Sequence, residues 1–148
     1  MADEAQVRAS LSIRKTSGAK TLIDYRSSPS AFNSDVTGTK GPTPGALTIP
    51  TGGKVVSFAE LDTPGWCILH NEDATNYVEW GVYDPDTDRF YPVGEIGPGE
   101  SAGPFKFSRN FREDYIGTGT GTSSEGGNQF FMKADTADVV VSVEALEA

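Results

Sequence analysis

The chain has 148 residues, enough for one domain with a core of its own, and its 36% hydrophobic share, 17 glycines and nine prolines argue for short elements joined by many turns and against a helical bundle. Twelve basic and 21 acidic side chains leave a formal net charge of −9, a field that repels phosphate backbones and disfavours nucleic acid as a partner. No apolar run approaches the roughly 20 residues of a membrane span, no basic amphipathic stretch suits a membrane surface, and the single cysteine, Cys67, excludes an internal disulfide and a thiolate zinc cluster.

The start, Met1-Ala2-Asp3-Glu4, is polar and acidic without an apolar signal region, so synthesis and use without secretion are expected. The first predicted strand is Val7 to Arg14. Its residues Val7, Ala9, Leu11 and Ile13 alternate with Arg8, Ser10, Ser12 and Arg14, the period of a half-buried strand. A weaker strand is predicted near Thr21 to Tyr25. Residues 27–45 are rich in Ser, Thr, Gly and Pro, carry one aromatic, Phe32, and are expected to form a long loop or extended arm.

From Ala46 the elements shorten. Ala46 to Ile49 leads into a Pro-Thr-Gly-Gly turn, then Lys54 to Leu61 is a predicted strand closed by Asp62-Thr63-Pro64-Gly65. Trp66 to Asn71 is apolar on both faces and expected to be central. After the turn residues 71–75 comes Tyr77 to Tyr83, with Val78, Trp80 and Val82 on one face. Asp84-Pro85-Asp86-Thr87-Asp88 turns the chain into Arg89 to Ile96, where Pro92 and Gly94 imply an edge or a bulge. Ala102 to Ser108 follows, with Phe105 and Phe107 inward. Residues 110–127 break the rhythm, and the Gly-Thr-Ser run of their second half is too poor in apolar groups to hold itself in place. Gln129 to Ala134 and Asp138 to Leu146 close the chain, the last with Val139, Val141 and Val143 on one face.

Short strands spaced by turns, with no helical periodicity and no repeat, predict an all-β fold: an antiparallel two-sheet sandwich, jelly-roll-like, with long irregular arms. It reads as a single domain over residues 1–148, with residues 1–6, 27–45 and 109–127 as flexible arms or loops.

Few residues offer chemistry. Cys67 and His70 lie three apart on a predicted strand, hence on opposite faces, where the imidazole cannot activate the thiol. Asp84, Asp86 and Asp88 occupy the first, third and fifth places of a calcium-loop pattern, with Glu95 at the twelfth. Arg89 stands where such a loop needs Gly, and strands flank it, so turn chemistry accounts for the aspartates. Neither Gly97-Pro98-Gly99-Glu100-Ser101 nor the Gly-Thr run at 117–122 carries the Gly-Lys-Ser/Thr of a phosphate loop. No cofactor and no catalytic centre are expected. Trp66, Tyr77, Trp80, Tyr83, Phe90 and Tyr91 fall on successive strands, as a sugar-stacking platform would, although aromatics on strands are more often core.

Three segments carry a resemblance: Gly65-Trp66-Cys67-Ile68-Leu69-His70-Asn71-Glu72-Asp73-Ala74-Thr75-Asn76-Tyr77-Val78-Glu79-Trp80-Gly81, then Ile96-Gly97-Pro98-Gly99-Glu100, then Phe131-Met132-Lys133-Ala134-Asp135-Thr136-Ala137. In this order they resemble the small jelly-roll-like structural proteins of tailed bacteriophage virions, over about the C-terminal half of the chain. The resemblance implies a virion component made in the host cytoplasm, a capsid decoration or head–tail accessory protein. Its implied partners are the major capsid or other virion proteins and further copies of itself, and it brings no catalytic residues. Arms that order on binding would supply contacts, with Tyr25, Phe32, Phe111, Tyr115 and Ile116 as candidate interface residues. A carbohydrate-binding jelly-roll module for host recognition is the alternative expectation.

Overall fold

A computed structural model describes residues 5–28, 30–35, 40–61, 64–108 and 129–147. The described residues form strands and turns, without helix. Where the sequence reads as one domain, the chain gathers into two compact units, Met1–Val36 and Thr37–Ala148.

The first unit consists of two antiparallel ribbons. β1 (Ala5–Ala9) pairs with β4 (Ser30–Ser34), setting Val7 opposite Phe32, and β2 (Ser12–Ser17) pairs with β3 (Lys20–Arg26). The strand predicted over Val7 to Arg14 is thus two strands with different partners, divided at Ser10 and Leu11. The division is held locally: Leu11 N–H donates to Ser27 Oγ at 2.7 Å, and Ser27 N–H donates to the Leu11 carbonyl at 2.8 Å. Gly18 (φ 59°) opens the two-residue turn between β2 and β3, in the left-handed conformation that tight hairpins require. Much of 27–45, expected to be an arm, is ladder: it contains β4 and the start of β5. Residues 5 and 6, also placed in an arm, begin β1.

The second unit holds two four-stranded antiparallel sheets. One has the order β10 (Ser101–Lys106), β7 (Pro64–Asn71), β12 (Val139–Glu147), β5 (Thr43–Ile49). The other has the order β6 (Lys54–Val55), β11 (Gln129–Ala134), β8 (Val78–Asp84), β9 (Arg89–Ile96). A shared apolar core lies between them. The first sheet contributes Ile49, Cys67, Leu69, Val139, Val141 and Val143, the second Val78, Ile96, Phe130 and Met132. β12 alternates between buried and open positions along its length, as a strand with one face on a core must.

Two local predictions resolve in detail. β9 is an edge strand, and the β8–β9 register slips between Trp80 and Gly81, which accounts for Pro92 and Gly94 at positions a central strand would refuse. A side chain at Gly81 would land on the Tyr91 carbonyl oxygen, so only glycine fits that slip. The strand predicted over Lys54 to Leu61, by contrast, ends at Val55. Phe58 and Leu61 are both buried but three residues apart, a spacing that no strand can turn to one face. A turn in which Leu61 N–H donates to the Phe58 carbonyl at 2.9 Å brings both inward. Phe58 then meets Phe107 and Phe130 edge to face, at centroid distances of 5.2 and 5.6 Å.

Candidate interaction surfaces

Residues 65–81, 96–100 and 131–137 converge on one corner of the second unit, around the buried side chain of Asn71. Its Nδ2 is within 2.9 Å of the Asn76 carbonyl and 3.1 Å of the carbonyls of Ile96 and Gly97, and its Oδ1 accepts from Asp73 N–H at 2.9 Å. Asp73 caps the same turn by accepting from the N–H groups of Asn76 and Thr75, the first above all holding its carboxyl below the usual range. The Gly99 N–H donates to the Asp73 carbonyl, and the Thr136 hydroxyl donates to Asn76 Oδ1 at 2.8 Å. The arrangement is a polar staple that ties three turns together.

The acidic turn from Asp84 to Asp88 is likewise spent on itself. Asp84 accepts from the Thr87 hydroxyl at 2.7 Å and from Asp86 N–H at 2.9 Å; these bonds, the hydroxyl's first, lower its pKa. Asp88 accepts from the Tyr83 hydroxyl. Among the described residues no three His, Cys, Asp or Glu side chains gather as a metal would need, and Asp84, Asp86 and Asp88 do not converge.

Cys67 and His70 face opposite ways, as their spacing requires. The thiol is buried, and burial, with Glu144 nearby, pushes its pKa up to about 12. His70 is exposed, its Nδ1 2.8 Å from Ser101 Oγ across the β7–β10 ladder.

The aromatic residues that could have made a sugar platform are divided. Trp80 points inward and stacks on Phe105 at 5.3 Å and 3° between planes. It lines an apolar cleft of about 290 Å³ with Val82, Val93, Phe107 and Phe130. Tyr83 and Phe90 instead pack on Phe131, Tyr91 lies under the Arg89 guanidinium, and Trp66 lies under the Lys106 ammonium.

Of the candidate interface residues, Phe111, Tyr115 and Ile116 lie outside the described residues. Tyr25 and Phe32 are 53% and 45% exposed. Tyr25 belongs to a larger feature that the sequence reading missed. In the β2–β3 register Ile13 faces Tyr25 and Lys15 faces Ile23, and Leu11 continues the same alternation. Leu11, Ile13, Ile23 and Tyr25 thus share one face of the ribbon, each 43–56% exposed, while Arg14, Asp24 and Arg26 take the other. Period-2 alternation put Leu11 and Ile13 on one face but read the strand as half-buried, whereas every residue of β2 is exposed.

No family model, characterised protein or solved structure matches the chain.

Proposed function

We propose that the protein works by protein–protein assembly, as a structural component of a bacteriophage virion: a capsid decoration or head–tail accessory protein made in the host cytoplasm. The observation that carries this reading is the β2–β3 ribbon. All thirteen residues of its two strands are exposed, and a lone two-stranded ribbon in water is at best marginally stable. A contiguous apolar face on such an element has the character of a binding surface.

The fold reading that accompanies it is a jelly roll. In the second unit the strand orders β10-β7-β12-β5 and β6-β11-β8-β9 place late strands between early ones in both sheets, an order that supports two interlocked Greek keys. The Asn71 staple gives the segments 65–81, 96–100 and 131–137 a scaffold role, which fits a protein whose contacts lie elsewhere. The test is cosedimentation with phage particles assembled without the protein. Saturable binding at a fixed copy number per particle is expected. Recovery of the protein entirely in the supernatant, with bound oligosaccharide detected instead, would replace assembly by glycan recognition.

A further inference from the structure

We infer that β1 to β4 form one continuous two-stranded arm that docks, along its length, in an acidic groove with an apolar floor on a partner protein; this gives the chemistry of the partner within the assembly reading and rests on it. Three observations within the first unit carry the inference.

The two ribbons are parts of one hairpin. β1 leads into β2 after two residues, β3 leads into β4 after three, and the two ladders differ in register by a single residue. The bonds between Leu11 and Ser27 fall at that step, as at a bulge with one extra residue on one strand. From Ala5 to Ser17 the arm runs about 40 Å, at roughly 3.3 Å per residue.

The arm also gathers exposed apolar groups. Of the ten large hydrophobic side chains that stand exposed among the described residues, six belong to it, and four of these, Leu11, Ile13, Ile23 and Tyr25, share one face. A contiguous exposed apolar face marks an interaction site.

The arm is, thirdly, the basic part of an acidic chain. Residues 5–34 hold five basic side chains and one acid, whereas the remainder holds seven basic and twenty acidic ones. The one acid, Asp24, stands opposite Arg14 in the ladder. Five cations thus share a single carboxylate within the arm, and a partner that covers it gains by being acidic.

The order of these groups selects the kind of partner. Lys15 follows Ile13 on the apolar face and stands directly opposite Ile23, so cation and hydrocarbon alternate along one line. A bilayer separates its charge from its hydrocarbon by depth, and a nucleic-acid backbone offers charge without an apolar floor. A protein groove can set a carboxylate beside Lys15 and apolar side chains against Ile13 and Ile23. Lys20, paired with Ser17 at the end of the ladder, carries the same demand for acid to the tip.

The test is cosedimentation of the full chain with phage particles assembled without it, over a salt series and against four competitors. These are a random copolymer of glutamate and tyrosine, polyglutamate, vesicles of phosphatidylglycerol and phosphatidylcholine, and duplex DNA. Particle binding is expected to weaken as salt rises, and the copolymer to compete at least about tenfold better than any of the other three. Lys15→Glu with Lys20→Glu should lower particle affinity about tenfold or more, while Lys15→Arg with Lys20→Arg should stay within about threefold of wild type. Circular dichroism checks the fold, and the milder Lys15→Gln with Lys20→Gln should lose about threefold or more if the reversed variant fails to fold. Binding that ignores salt, a folded charge variant that binds like wild type, or vesicles or DNA competing as well as the copolymer would each overturn the inference while leaving particle binding, and so the assembly reading, in place. Protein recovered in the supernatant that still binds labelled copolymer through Lys15 and Lys20 would overturn the assembly reading alone.

Discussion

The side chain of Asn71 holds four polar contacts from a fully buried position, the two Nδ2 hydrogens being shared among three carbonyls on two separate turns. Asn71→Ala should lower unfolding stability by about 2–4 kcal/mol, because it leaves buried carbonyls unpaired as well as removing the bonds. A shifted urea midpoint at unchanged slope would check this, and a shift under about 0.5 kcal/mol would contradict it. Cys67 gives a prediction about pH. Its folded-state pKa stands near 12 against an ordinary value of 9.0, so the stability that the neutral thiol contributes is full below pH 9 and is lost as pH rises towards 12. Cys67→Ala should flatten that alkaline decline in the thermal midpoint, and the native thiol should react with thiol reagents only after unfolding. The sequence made Cys67 legible as buried and unpaired with His70, since strand parity alone settles that. It did not reveal the Asn71 staple, because a buried asparagine and a turn asparagine look alike until the carbonyls around it are placed.

At the scale of elements, alternation located most strands of the second unit to within a residue or two, and Pro92 and Gly94 correctly marked an edge with a register slip. It failed where the chain changes partner without changing period. Val7 to Arg14 alternates without a break, yet the pairing passes from β4 to β3 within it. It failed again at Phe58 and Leu61, which a turn brings inward off the ladder. Residues 27–45 look structureless because Gly, Pro, Asn and Asp are poor strand formers, but pairing with β1 and β12 overrides that preference. The ribbon supplies the prediction at this scale. Ile13→Ser with Ile23→Ser removes two apolar groups from an exposed face. The urea midpoint of the second unit should move by no more than about 0.5 kcal/mol, while particle binding in the cosedimentation assay should fall at least about tenfold. Unchanged particle binding would move the contact surface off the ribbon.

For the molecule as a whole, a net charge of −9 conceals an uneven distribution, with the acidic surplus in residues 37–148. The chain should accordingly show no sub-micromolar, salt-sensitive affinity for random duplex DNA near physiological salt. Fluorescence anisotropy across a salt series checks this.

The strand orders of the second unit bear on the timing of its synthesis. β12 lies between β5 and β7, and β11 lies between β6 and β8. One of the two inner strands of each sheet thus comes from residues 129–147. A nascent chain that has emerged from the ribosome only as far as β10 holds β5 and β6 with no neighbour yet made, and β7 and β8 with one of their two. The sandwich therefore closes in one late step, after loops of up to about ninety residues have been spanned, which makes folding slow and highly cooperative. Until that step its strand edges stand open to pairing with other chains.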